Sequence, residues 1–176
     1  LFDLFAIREK TKAHNALLIV DGTQSVGAIP MDVQKLQPDA LICAGYKWLF
    51  GSYGLGVAWF GPAFDNGTPI EQGWMARENS EDVKNLINYQ DEYRGQARRY
   101  SVGESSQFIL LPMLARSIQQ INEWGPANII SYCDSITTKA FDQLEALDCS
   151  VEPQASRSPH LFGVHLGASM NAEALQ

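Results

Sequence analysis

Apolar residues along this chain come first as short unbroken runs stopped by glycine, proline or charge, and later as two long stripes at helical spacing. Leu17-Leu18-Ile19-Val20 stops at Asp21-Gly22, and Ala40-Leu41-Ile42-Cys43-Ala44 stops at Gly45-Tyr46-Lys47. Unbroken apolar runs bounded by turn residues predict strands covered on both faces, hence a parallel sheet. The segment from Gly22 to Asp39 is long enough for the crossover that parallel strands require. Asp21 and Lys47 should then emerge at one carboxyl edge, which is where open α/β sheets bind ligands. The turn Gly51-Ser52-Tyr53-Gly54 leads into a third run, Gly54 to Phe60. Its connection is too short for a parallel crossover, so this strand is expected antiparallel to the second.

The flanking segments read as helices and loops. Leu1 to His14 carries Leu1, Leu4, Phe5 and Ile7 on one helical face, with Arg8, Glu9, Lys10 and Lys12 elsewhere, and looks like a helix feeding the first strand. Pro62, Gly67, Pro69 and Gly73 punctuate a long loop from Gly61 to Tyr100, with a short helix expected from Ser80 to Leu86, capped by Ser80 and helped by Glu81 and Asp82. Phe108, Leu111, Leu114, Ala115, Ile118 and Ile121 then mark the inward face of a helix from Gln107 to Glu123, broken by Trp124-Gly125-Pro126. A second helix is expected from Ala127 to Ala146, with Ile130, Cys133, Ile136, Ala140, Phe141 and Leu144 inward. Both stripes read as core. Cys149 to Glu152 and Leu161 to His165 look like strands.

Composition narrows the classes. The 176 residues are 45% hydrophobic and 19% charged, ordinary for a globular protein. A net charge of −7 argues against a nucleic-acid surface, which would be basic. No apolar run approaches the ~18 residues of a membrane span, and no signal peptide is recognised at the start of the chain. Cys43, Cys133 and Cys149 form neither a metal spacing nor an even disulfide set, so a reducing, cytoplasmic setting is expected. The glycines of Gly51 to Gly56 do not follow the order of a dinucleotide loop, and there is no Walker motif.

The chemistry gathers at Asp21 and Lys47. An acid beside a lysine is either an ion pair or a reactive site, and the surrounding text bears on which. Asp21-Gly22-Thr23-Gln24-Ser25-Val26-Gly27, followed by Gly45-Tyr46-Lys47-Trp48-Leu49-Phe50-Gly51-Ser52-Tyr53-Gly54-Leu55-Gly56, resembles the class V aminotransferase family of pyridoxal-phosphate enzymes. That family includes cysteine desulfurases, selenocysteine lyases, kynureninases and isopenicillin epimerases. Its usual pattern is Asp-Ala-x-Gln-Ser-x-Gly and then Ser-x-His-Lys-x-x-Gly-Pro-x-Gly-x-Gly. The resemblance implies an α/β fold of fold type I. This chain would supply the carboxyl-terminal half of a large cofactor-binding domain, 1–125, a mainly parallel sheet with one antiparallel strand, and the start of a small α/β domain, 126–176.

The same resemblance assigns roles. Lys47 would form a Schiff base with the aldehyde of pyridoxal 5'-phosphate and later act as general base at the substrate α-carbon. Asp21 would keep the pyridine nitrogen protonated, so that the ring can absorb electrons. Gln24 matches the glutamine that hydrogen-bonds the cofactor's 3'-oxygen, against a plain role as a polar turn residue. Tyr46 stands where many members have His, and its hydroxyl can still donate; Ala44 stands where they have Ser and cannot. Ser105 and Ser106 replace a Gly-Thr that reaches the phosphate of the neighbouring subunit's cofactor, or else cap the following helix. A homodimer with shared sites, acting on a small-molecule amino acid by transamination, lyase or epimerase chemistry, is thus expected. Full members are about twice this length; their earlier half supplies a phosphate-binding Gly-Thr turn and a ring-stacking residue. Desulfurases use a cysteine, and aminotransfer-type members an arginine, late in the chain. Cys43, Cys133 and Cys149 are not placed like that nucleophile. Arg157 reads as a solvated loop arginine or an anion contact, and His160 and His165 as structural. The alternative is a non-catalytic fragment or degenerate dimerisation module that keeps the fold without a complete cofactor site.

Overall fold

The computed structural model describes residues 1–102 and 107–175. Helix α1 (Leu4–Ala13) begins where the Asp3 carboxylate accepts the Ala6 amide at 2.9 Å, which satisfies one of the free donors of the first turn. The chain then enters β1 (Ile19–Asp21), crosses over through α2 (Val33–Leu36), and returns in β2 (Ala40–Ala44) and β3 (Gly56–Phe60). Asp32 caps α2 through the amides of Gln34 and Lys35, and Gln37 closes it in the left-handed conformation. The strands form one sheet in the order β1-β2-β3. β1 runs parallel to β2 with Asp21 opposite Ile42, and β2 runs antiparallel to β3 with Ala44 opposite Gly56. Both orientations agree with the connection lengths read from the sequence.

The expectation of cover on both faces fails. Val20, Leu41 and Cys43 turn to one face, and two apolar clusters bury it. Leu18, Val20 and Leu41 pack with Leu4, Met31, Val33 and Trp59; Cys43 packs with Leu49, Leu114 and Ile121. Alternate residues turn to the other face, where Ile19 is 57% exposed and Ile42 45%. Only its far end is covered, where the Phe60 ring meets Phe64 and Tyr100. The α-helices supply Leu4, Val33, Leu114, Ile121 and Ile129 to the first face, and only the 3-10 turns that carry Phe64 and Tyr100 reach the second among the described residues, so Ile19 and Ile42 stay bare.

Helix α1 corrects the predicted stripe in an informative way. Its inward positions are Leu4, Arg8 and Thr11, while Phe5 is exposed. Arg8 is drawn in because Asp39 waits for it. Its Nη1 lies 2.6 Å from Asp39 Oδ2, both side chains being only 14% exposed, and the same oxygen accepts the Leu18 amide at 2.7 Å. Burial opposes the Asp39 charge, but the Leu18 amide and the Arg8 guanidinium outweigh it and hold the carboxyl below its ordinary pKa.

The long segment after β3 is a chain of four 3-10 turns rather than featureless loop. The expected helix at Ser80 shrinks to a turn, Val83–Asn85, without a side-chain cap, because the Ser80 hydroxyl donates to the Met75 carbonyl instead. Arg99 donates to the carbonyls of Arg94 and of Gly67, the second 32 residues away. Helices α3 (Leu110–Trp124) and α4 (Pro126–Ala146) follow, joined at Gly125, whose φ of 79° suits glycine. Leu114 and Ile121 of α3 and Phe141 of α4 are buried as expected; Phe108, Leu111, Ala115, Ile136 and Ala140, also expected inward, are exposed. A hairpin of β4 (Ser150–Val151) and β5 (Val164–His165) packs beside α4. Arg157 is anchored there by its hydrogen bond to the Glu152 carbonyl and its position over the Phe141 ring.

Removing the Asp39 carboxylate would strand a buried guanidinium and the Leu18 amide. Asp39→Ala should therefore destabilise the protein by about 3 kcal/mol, measured by urea denaturation. A carboxyl with a depressed folded pKa stabilises above its unfolded value of about 4 and loses that contribution as pH falls through the folded value. The acid-side fall in the urea midpoint should accordingly be shallower in Asp39→Ala than in the natural protein.

Candidate active site

The parallel register delivers Asp21 to the carboxyl end of β1, on the open face, opposite Ile42 of β2, which lies five residues before Lys47. Gly22 follows Asp21 tightly, because its amide donates to the Ile42 carbonyl at 2.7 Å and a Cβ there would meet Val26 and Leu41. Asp21 then folds back on Thr23, whose amide donates to Oδ1 at 2.9 Å in an Asx turn. The Thr23 hydroxyl accepts the Ala44 amide at 3.0 Å, tying the ends of β1 and β2 together. Hydrogen bonding to the Thr23 side chain and amide, with a smaller contribution from the charge of Lys47, keeps Asp21 anionic below the usual carboxylate range.

Lys47 sits on a compact turn between β2 and β3. The Gly45 amide donates to Leu55, the Gly51 amide to Gly45, and the Phe50 amide to Lys47 itself at 3.0 Å. Backbones pass so closely that a Cβ on Gly45 would lie 2.8 Å from the Leu55 oxygen. Leu49 is buried in the core and anchors the turn from below, which leaves Tyr46 and Lys47 outward. Tyr46 is stacked on Tyr53, ring centroids 4.3 Å apart. Gly27, at φ +92°, presses the Gln24 loop against this turn; a side chain there would collide with the Trp48 carbonyl.

Gln24 is the third expected residue that the fold brings to this edge. The Trp48 indole donates to its Oε1 at 3.0 Å, and the Gln24 backbone carbonyl accepts from His160 Nε2 at 2.6 Å. An indole N–H is only a donor, so the amide oxygen is engaged and the Gln24 NH2 remains available. Asp21, Gln24, Tyr46 and Lys47 are therefore gathered on two adjoining turns, while Ser105 and Ser106 lie outside the described residues. A cavity of about 670 Å³ opens on the same face, lined by Ile42, Ala58, Phe60, Tyr100 and Leu111 among others. The residues that sequence reasoning missed are Thr23, Trp48, Tyr53 and His160. Thr23 was legible, since an Asp followed two residues later by Thr suits an Asx turn; nothing local marks His160, 136 residues from Gln24. Among the described residues there is no cluster placed to hold a metal and no helix long and apolar enough to cross a membrane.

The family profile described as "Aminotransferase class-V" matches residues 1–175. The chain belongs to that family. A relative is the uncharacterized aminotransferase YcbU of Bacillus subtilis, 28% identical over 159 residues, which cover 86% of this chain and 40% of YcbU. Among solved structures, the fold is similar to apo cysteine desulfurase from Thermococcus onnurineus at a TM-score of 0.77 and 18% identity, covering 98% of this chain and 42% of that one. It is equally similar, TM-score 0.77 at 18% identity and covering 99% of this chain and 46% of that one, to a mutant of C-DES with glycine covalently linked to its PLP cofactor. At such identities the likeness speaks for the fold, which is that of fold-type I PLP enzymes. The class V chain described here spans about two fifths of these proteins' lengths.

The Asp21 environment can be tested directly. Its carboxyl carbon, followed by NMR, should titrate below the ordinary midpoint of about 3.9. Thr23→Val removes the hydroxyl and should move that midpoint upward while the protein stays folded; an unmoved midpoint would show that Thr23 does not set the charge.

Proposed function

We propose that the protein is a pyridoxal-phosphate-dependent enzyme acting on an amino acid at the β1–β2 edge. The observation that carries this reading is the placement of an anionic carboxylate and an outward primary amine on adjoining turns of one sheet edge. The donor set fits the cofactor: a carboxylate for a ring nitrogen, an amine for an aldehyde, an amide N–H for a ring oxygen and a phenol for a phosphate. When bound, pyridoxal phosphate supplies that aldehyde and an electron-poor ring that stabilises charge at the substrate α-carbon.

The chain's own residues then divide the work. Lys47 would hold the cofactor through its aldehyde, and its amine, when released, would be placed to move the substrate α-proton. Asp21 keeps a proton on the ring nitrogen, its own charge held by Thr23. Gln24 presents its NH2 to the 3'-oxygen. Tyr46, stacked on Tyr53, offers its hydroxyl to the phosphate where Ala44 has none. Ser105 and Ser106 would complete that phosphate contact across a homodimer, and the bare apolar residues Ile42, Phe108 and Leu111 suit burial in such an assembly. The larger cofactor-binding unit is 1–125 and the smaller begins at 126. The three free cysteines suit a reducing, cytoplasmic setting. The lack of a hydroxyl at Ala44 favours one rival, a non-catalytic module that keeps the fold.

Incubation with pyridoxal phosphate, borohydride reduction and peptide mass mapping separates the two. The pyridoxyl group should be found on Lys47 and be lost in Lys47→Ala. Labelling spread over surface lysines, or unchanged in the variant, would favour the module.

A further inference from the structure

His160 lies in the segment between β4 and β5, and reads from sequence as a structural residue. The fold carries it back to the candidate site. Its Nε2 is 2.6 Å from the Gln24 carbonyl, its Nδ1 is 2.5 Å from the Ser158 hydroxyl, and its ring stands edge-on to Trp48, centroids 4.7 Å apart at 89°. A carbonyl only accepts, so Nε2 carries the hydrogen and donates it. Ser158 is 5% exposed, which leaves its hydroxyl little freedom and fixes the imidazole. Trp48 in turn holds Gln24 Oε1, and Trp48 is the residue after Lys47. One imidazole thus braces both the backbone and, through the indole, the side chain of Gln24.

We propose that His160 is a positioning residue that aims the Gln24 amide at the ring oxygen of the bound cofactor, so that the carboxyl-terminal segment tunes the ring's electronic state. This inference rests on the cofactor reading above. The geometry explains why a histidine is useful here: it provides a donor on one nitrogen, an anchor on the other and a flat edge for the indole. A glutamine at position 160 would keep the donor, and a phenylalanine would keep the edge but not the donor.

The experiment compares the natural protein with His160→Gln and His160→Phe by two readouts. Without cofactor, NMR of the Trp48 indole N–H, assigned with Trp48→Phe, and of the Gln24 side-chain amide reports the brace. Both signals should shift in His160→Phe and return toward their natural positions in His160→Gln. With pyridoxal phosphate bound, the visible absorption band and its pH midpoint should be displaced in His160→Phe and restored in His160→Gln. Urea midpoints serve as the check on folding. Unchanged NMR signals in His160→Phe, or a band unchanged while the natural protein binds cofactor, would overturn the inference alone. Absence of any band in the natural protein would overturn the cofactor reading and this inference with it, whatever the NMR shows.

Discussion

Asp39 is the clasp on which the arrangement depends. Its amide donates to the Leu18 carbonyl and its carboxylate accepts the Leu18 amide, which sets the register of β1 against β2. Its own carbonyl accepts the Gly61 amide at the end of β3, and its carboxylate pulls Arg8 of α1 onto the sheet. A parallel pair is sensitive to register because a slip of one residue would turn every side chain to the opposite face. In that case Asp21 would point into the core and Val20 out of it. A buried charge pair is an expensive way to fasten a sheet, since both ions lose water. Here the extra hydrogen bond from Leu18 helps offset that loss, and Asp39 as a whole, through carboxylate, amide and carbonyl, has partners at α1, at the start of β1 and at the end of β3.

At the other end of the same two strands, Thr23 repeats the device without a full charge pair. It links Asp21 to the Ala44 amide, so the edge that bears the candidate site is closed by a hydroxyl and two amides. Between the two clasps the strands are short, and the turn at Lys47 has little room to move. Leu49 fixes it from the core, Gly27 abuts its backbone, and Tyr53 stacks against Tyr46. The result is a lysine whose backbone is held by hydrogen bonds and packing and whose side chain is exposed. Support of that kind fixes where the amine starts from, which is one part of preorganisation.

Much of this was legible in the sequence, and for identifiable reasons. Strand positions, their directions and the meeting of Asp21 with Lys47 follow from run lengths and connection lengths, which are local properties. The bare face was not legible, because an apolar run reports only that something must cover it and not whether this stretch of chain supplies the cover. Arg8 was misread as a solvated position because a helical stripe is recognised by apolar residues, while its partner lies 31 residues away. The helix expected at Ser80 failed through competition, since the serine hydroxyl found a backbone carbonyl in place of the helix amides. His160 escaped notice for the same reason as Arg8: its partners are distant in sequence and its neighbours are ordinary loop residues.

The central claim is that Asp21 and Lys47 act together on one cofactor ring, and the protonation of the ring nitrogen reports it most directly. Pyridoxal phosphate labelled with 15N at the pyridine position, bound to the natural protein and to Asp21→Ala, would be examined by NMR. The account predicts a protonated nitrogen in the natural protein and an unprotonated one in the variant at the same pH. An unprotonated nitrogen in the natural protein, or the same signal in both, would contradict it.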